Sequence, residues 1–393
     1  FMGLTDNVNQ RVLFTNCNDM PSVMNDRTGF HCIRGNDLDR LDRKDFETIL
    51  KWLQSGEVKV ERKTPLPHQG NAIKDILNVF EEEDRTTALM ACGTGKTLVA
   101  LWVAEQIGCQ NILVLLPSLT LVRQTLHEWL RETEWLHLSY LCVCSDPSVA
   151  SKELDNIKIN QSDLDFAVTT DGNKLKQFIS QDTKGVKIVF STYQSAHIVA
   201  EGMSNTYRFD LGIFDEAHKT AGREGKKFGF ALKDDNLTIK KRLFLTATPR
   251  HYNLNKRNKE GDLDLVYSMD SIDVYGKVAH ELSFAKAARQ NIICNYKVII
   301  SVVTSEQVSK EILRRGEVLI NGDAVNAQLV AHQIAFKEAI DKYNIKRVFT
   351  FHKSIKAAKS FTENSPEGIQ THLPKFNTFH VNGTMATAAR EGV

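Results

Sequence analysis

The segment ALMACGTGKTLVALW, residues 88–102, constrains what this chain can fold into more than any other stretch. A short apolar run leads into Gly93 and Gly95, and a long helix-forming run follows Lys96, so the order is strand, tight turn, helix. Glycines let the backbone curl until successive amides point inward, at the positive end of the following helix, which suits phosphate oxygens. Lys96 is placed to reach terminal phosphates as a mobile charge, and Thr97 to offer a hydroxyl to magnesium. Met90 stands where the strict phosphate-loop pattern has its first glycine, the least constrained position if the chain is still extended there. The loop, Thr94 included, is therefore expected to bind ATP with Mg2+.

The surroundings fit that expectation. Short, near-continuous apolar segments at 86–91, 111–117, 140–145, 186–192, 209–218 and 241–248 alternate with helical stretches at 96–107, 118–132 and 195–202. Buried parallel strands joined by crossover helices give this pattern, and it predicts a doubly wound α/β domain. The polar interval from 146 to 183 has room for a loop, one strand and one helix. A charged stretch without periodicity at 251–265 marks the expected boundary, after which NYKVIISVV (295–303) and KRVFTFH (346–352) are predicted strands of a second α/β domain. Ahead of all this, RVLFT is a predicted strand. DRKDFETILKWLQSG is a predicted helix with Phe46, Ile49, Leu50 and Leu53 at helical spacing, and Trp52 and Leu53 are expected to pack a core. One strand and one helix cannot bury their own apolar faces, so this unit is expected to lean on the next domain or to be the tail of an upstream one.

Bulk properties exclude a few classes. A 393-residue chain predicts two or three domains, and a net charge of +2 gives no general electrostatic case for nucleic acid, so local contacts must carry one. Seven cysteines, of which only Cys142 and Cys144 are close together, lack metal-ligand spacing and are expected to be reduced thiols. No apolar run of membrane-spanning length and no signal-peptide pattern is present, so the expectation is a cytoplasmic protein without membrane partners.

FDLGIFDEAHKT supplies a second half to the loop. Asp215 and Glu216 follow an apolar strand, at the carboxyl end where such sheets place ligands. Asp215 is the expected magnesium partner and Glu216 the general base for an attacking water, although adjacent carboxylates there also suit a helix N-cap. The two boxes, with LPHQGNAI before them and LTATPR after them, resemble the superfamily 2 helicases and DNA translocases of the DEAH type. MACGTGKT is similar to the branch that contains restriction-enzyme motors, especially single-polypeptide type I-like ones. The resemblance implies two RecA-like P-loop domains, the second incomplete, after a short N-terminal α/β extension: 1–58 the extension, 59–256 the first domain, 257–393 the start of the second.

It also implies roles. Gln69 would read the adenine edge, since one amide both donates and accepts. His218, Thr246 and Thr248 would couple phosphate sensing to domain closure, although a histidine there also suits capping. LLPSLTLVRQT, through Ser118, Leu119, Arg123 and Gln124, and FSTYQS, through Ser191, Thr192, Tyr193 and Gln194, would touch the nucleic-acid backbone. Ser354, helped by Lys353, and later Gly383, Thr384 and Arg390 match the second domain's contact segments. The family's final arginine-bearing segment is not found, and the chain resembles a piece cut at both ends. The implied activity is ATP-driven translocation on double-stranded DNA, beside nuclease and methyltransferase or specificity parts. RNA unwinding and a nucleotide-gated DNA-binding module are the alternatives.

Overall fold

The computed structural model describes residues 11–16, 30–33, 35–38, 41, 43–56, 62–144, 168–181, 185–204, 206–223, 227–252, 266–308, 327–362, 368–373 and 375–381. It divides into two compact units, 1–295 and 296–393.

The first unit is built on an eight-stranded, all-parallel sheet. In chain order its strands are β3 (Arg85–Met90), β4 (Asn111–Leu116), β5 (Leu138–Val143), β6 (Val168–Thr169), β7 (Val186–Thr192), β8 (Phe209–Asp215), β10 (Ile239–Thr246) and β12 (Lys277–Leu282). Across the sheet they run β12-β3-β10-β8-β4-β7-β5-β6. The remaining strands form two small separate pairs, β1 (Arg11–Phe14) with β2 (Phe30–Ile33), and β9 (Gly222–Arg223) with β11 (Val266–Tyr267).

Both faces of the sheet are covered, which is why its strands are apolar almost without interruption. On β4, Ile112, Val114 and Leu116 pack into one core, while Leu113 and Leu115 pack into the other. The first core receives α3 (Pro67–Glu82), α4 (Lys96–Ile107) and α5 (Leu119–Glu132); the second receives α6 (Gly172–Ser180) and α7 (Ala196–Gly202). Helix α4 buries every residue from Leu98 to Ala104, so it is apolar on all sides rather than amphipathic. Left-handed glycines stand at both of its ends, Gly95 with φ 83° and Gly108 with φ 74°.

Three sequence expectations are corrected. The first unit continues past 256: after α8 (Ile272–Tyr275), β12 adds to the sheet edge beside β3, and α9 (Phe284–Arg289) follows before the unit ends at 295. Second, the helix Arg43–Ser55, here α2 after the short α1 (Gly35–Leu38), forms as expected, but its apolar residues are not in a core. Trp52 is 56% and Leu53 66% exposed. Third, no strand forms at 295–303 or 346–352 in the second unit. Strands require a hydrogen-bonding partner, and here Val298, Ile300, Val302, Phe349 and Phe351 remain exposed. In that unit α10 (Ala327–Tyr343), α11 (Ile355–Thr362) and α12 (Ile369–His372) gather around Ile340, Ile369 and Leu373.

The turn that delivers β12 to the sheet allows only glycine. Gly276 sits at φ 70° and ψ −178°, and a β-carbon there would lie 2.1 Å from the Arg85 carbonyl oxygen. Gly276→Ala is expected to destabilise the protein by about 3 kcal/mol or more. A lowered denaturant midpoint at unchanged m-value is the readout; an unchanged midpoint would show that β12 does not need this turn.

Candidate active site

Strands β3, β10 and β8 are neighbours, and each ends in one part of a single polar cluster. The cluster lies at the carboxyl edge of the sheet, where the dipoles of the following helices point their positive ends.

From β3 the chain turns through Gly93 (φ 82°) and Gly95 into α4. Gly95 is the N-cap and has no side chain to satisfy the first amides of the helix, so they stay available to an anion. Lys96 is only 8% exposed; its Nζ lies 3.4 Å from the Met90 carbonyl oxygen and 3.9 Å from Glu216 Oε1. Met90 is buried, and its main-chain oxygen takes part in the loop where a glycine would contribute nothing more. Thr94 is buried, its hydroxyl donating to the Ala91 carbonyl at 2.7 Å. Gln69 lies across the loop: its Oε1 accepts from Leu66 N at 2.9 Å, and its Nε2 donates to the Thr94 carbonyl at 3.1 Å. A β-carbon on Gly95 would lie 2.2 Å from that Nε2, so the glycine is required by the glutamine as well as by its own φ. Half of Gln69's hydrogen-bonding capacity is thus spent, one bond on the cap of its own helix α3 and one on the loop, leaving one N–H and one lone-pair direction for a base edge.

From β8 come the carboxylates. Burial and the neighbouring Glu216 push the Asp215 carboxyl up to about 6, against a smaller opposing pull from Lys96. Glu216 is held below its ordinary value, chiefly by its contact with His218, with Lys96 adding to the effect and burial opposing it. Glu216 is in the left-handed region, φ 49° and ψ 45°, which for any residue that carries a Cβ is a stored strain of about 1–3 kcal/mol. The chain bends there from β8 into a single turn, Ala217–Lys219.

From β10 comes Thr246, fully buried. His218 Nδ1 lies 2.9 Å from Thr246 Oγ1 and 3.3 Å from Glu216 Oε2, and Thr248 N donates to Thr246 Oγ1 at 3.2 Å. The histidine therefore joins the carboxylate to the threonine pair. Lys96, Asp215, Glu216, His218, Thr246 and Thr248 are all brought together, with Thr97 half-buried at the start of α4.

The expected nucleic-acid contacts divide. Ser118 is exposed and caps α5, accepting from Leu121 N at 3.4 Å; Gln124 is exposed and Arg123 half-buried. Thr192 and Tyr193 are not surface side chains. Thr192 is buried with its hydroxyl 2.9 Å from Ser195 Oγ, and Tyr193 is 1% exposed, because the turn Tyr193–Ser195 after β7 directs the ring into the second core. Contact through this segment is left to its backbone and to the partly exposed Gln194. In the second unit Ser354 is exposed and caps α11, its hydroxyl accepting from Ala357 N at 3.1 Å. Gly383, Thr384 and Arg390 lie outside the described residues. Among the described residues no cluster of three metal-ligating side chains exists, and Cys142 and Cys144 are buried thiols. No helix among them is long and apolar enough to cross a membrane.

Residues 62–251 match the family model described as "Type III restriction enzyme, res subunit". A probable helicase of African swine fever virus (a Kenyan pig isolate) is 25% identical over 323 residues, covering 81% of this chain and 32% of the relative. Its counterpart from a Malawian tick isolate is 27% identical over 285 residues, covering 71% and 28%. Among solved structures, the DNA-bound ATP-dependent Type ISP restriction-modification enzyme LlaBIII shares the fold with a TM-score of 0.70 at 23% identity, covering 97% of this chain and 26% of that one. The chain spans about a third of the length of these curated relatives and about a quarter of that enzyme.

Burying Asp215 as an anion beside Glu216 has a testable cost. Its folded pKa lies above its unfolded one, so the folded state is penalised as pH rises through the unfolded value and fully so above about 6. In metal-free protein, Asp215→Asn is expected to raise stability at pH 8 by about 1–3 kcal/mol and to leave it unchanged at pH 4. Thermal unfolding at the two pH values measures this; equal effects at both would contradict it.

Proposed function

We propose that this chain is the ATP-hydrolysing motor of a double-stranded DNA translocase, a superfamily 2 helicase-type ATPase related to the motors of restriction enzymes. The observation that carries the reading is the convergence of Lys96, the Asp215–Glu216 pair and the His218–Thr246 contact at the ends of three neighbouring strands.

The residues present fit a nucleotide phosphate chain and a divalent metal. Gly93 and Gly95 both take left-handed angles in the turn, a β-carbon on Gly95 would displace Gln69, and the first amides of α4 have no side-chain cap. Thr97 and Asp215 would hold Mg2+, which when bound neutralises phosphate charge and supplies Lewis acidity. Lys96 offsets charge on the outer phosphates, a role its burial strengthens because fewer water molecules screen it. Glu216 orients the attacking water and receives its proton; the contact with His218 keeps the carboxylate ionised and aimed. His218 also faces Thr246, so a change at the carboxylate is passed to the LTATPR segment, where Thr248 donates to the same hydroxyl. Gln69 fixes the loop and offers its remaining amide capacity to adenine.

Nucleic acid would lie along the exposed Ser118 and Gln124, with Arg123 beside them, and along the backbone of 192–195; Ser354 is a separate candidate contact within the second unit. Contacts of this kind position the backbone of a duplex without reading bases, which suits translocation and a nearly neutral chain. Nuclease and methyltransferase or specificity parts are the expected companions of such a motor.

ATP turnover in the intact polypeptide, with and without duplex DNA, tests the proposal. Stimulation by duplex, displacement of a triplex-forming third strand, and little separation of a forked duplex are expected. Lys96→Ala should abolish turnover, and Glu216→Gln should lower kcat by about 10²- to 10⁴-fold while nucleotide binding is retained. Stimulation by RNA alone would replace the DNA reading; no stimulation by any nucleic acid would end the motor reading.

A further inference from the structure

Tyr193 is buried away from the nucleic-acid contact the sequence implied for it, yet its hydroxyl makes a short contact at the catalytic strand end. Its Oη donates to the Asp215 carbonyl oxygen at 2.7 Å. That carbonyl belongs to the peptide bond joining Asp215 to Glu216, and the other edge of the same peptide, Glu216 N, donates to Asp215 Oδ1 at 3.0 Å. Both edges of one peptide plane are therefore fixed, and the residue after it is the one held at φ 49°. Without a donor on the carbonyl side, rotation of that plane would release Glu216 toward ordinary backbone angles and turn its carboxylate away from Lys96 and His218.

The tyrosine is rigidly held. Its ring packs against Phe214, centroids 6.4 Å apart, and against Phe228 at 5.7 Å. The hydroxyl stays protonated, and so a donor, because burial, with Asp215 adding to it, pushes its pKa well above the usual value. The chain on which it stands is the turn Tyr193–Ser195, anchored by Thr192 to Ser195 and by Ser191 Oγ donating to the Val143 carbonyl at 2.9 Å.

We infer that Tyr193 is a positioning residue for ATP hydrolysis: its hydroxyl locks the Asp215–Glu216 peptide in the geometry that aims Glu216, and so ties that geometry to the 192–195 turn. The inference rests on the proposed ATPase activity and adds to it a second input, because a displacement of that turn by nucleic acid would be delivered to the catalytic carboxylate through one hydrogen bond.

The test uses the intact polypeptide, with kcat and KM for ATP measured beside the nucleic acid that stimulates the wild type most, and with thermal midpoints recorded. Tyr193→Phe keeps the ring and removes only the hydroxyl; kcat is expected to fall about tenfold, with KM within twofold and the midpoint within a few degrees. Phe228→Leu loosens the ring's packing but leaves the hydroxyl, and its kcat should fall less than that of Tyr193→Phe. An unchanged kcat in Tyr193→Phe, or equal losses in both variants that follow the midpoint, overturns the inference while leaving the ATPase reading intact. A wild type that turns over no ATP, indistinguishable from Lys96→Ala, overturns the reading and the inference with it.

Discussion

Strand β10 hydrogen-bonds to β3 on one side and to β8 on the other, with Thr246 level with Leu89 and Leu245 level with Asp215. This register decides which residues can meet at the top of the sheet, because a parallel ladder cannot slip by one residue without turning every side chain to the opposite face. Phe244 would then leave its contacts with Phe214 and Tyr275, and Leu243 and Leu245 would leave the other core. The phosphate loop, the acidic pair and the threonine pair come from positions far apart in the sequence. They are held within hydrogen-bonding reach by two dry cores that each demand the same register.

What that arrangement holds is not comfortable for the fold. Asp215 is desolvated beside a second carboxylate, Glu216 takes a backbone conformation that favours glycine, and Lys96 has little contact with solvent. Each of these would be relieved by a blander residue, and their concentration at one sheet edge is the pattern expected where function opposes stability. The surrounding contacts over-determine the strain: Gln69 on the loop, Tyr193 on the peptide and His218 on the carboxylate each act from a different element.

Much of this was legible in the sequence, for physical reasons that also mark where legibility stopped. The interior strands announce themselves because both of their faces are buried, and helix α4 is bounded by glycines that only a left-handed turn requires. β12 gave no such signal: KVAHEL is an edge strand with one buried residue at its end, and its polar pattern does not differ from a loop's. The phosphate loop, acidic pair and histidine were placed by type and spacing. Tyr193 was not, since a hydroxyl-rich segment after a strand suggests a surface contact, and nothing local shows that a one-turn helix sends the ring inward. The apolar segments of the second unit had strand composition, but composition does not supply a pairing partner.

β12 also determines where mechanical load enters the first unit. The chain leaves this unit at 295, after α9 and the strand before it, which pairs along its length with the phosphate-loop strand. Leu282 accepts a hydrogen bond from Ala91 N at 2.9 Å, and Ile293 packs 3.7 Å from where a β-carbon of Gly93 would be. A pull on the chain beyond 295 is passed through α9 and Ile293 to the backbone that cradles phosphate, where the parallel ladder resists it in shear rather than by peeling one bond at a time. Tension in the polypeptide and occupancy of the nucleotide loop are consequently two loads on the same few hydrogen bonds.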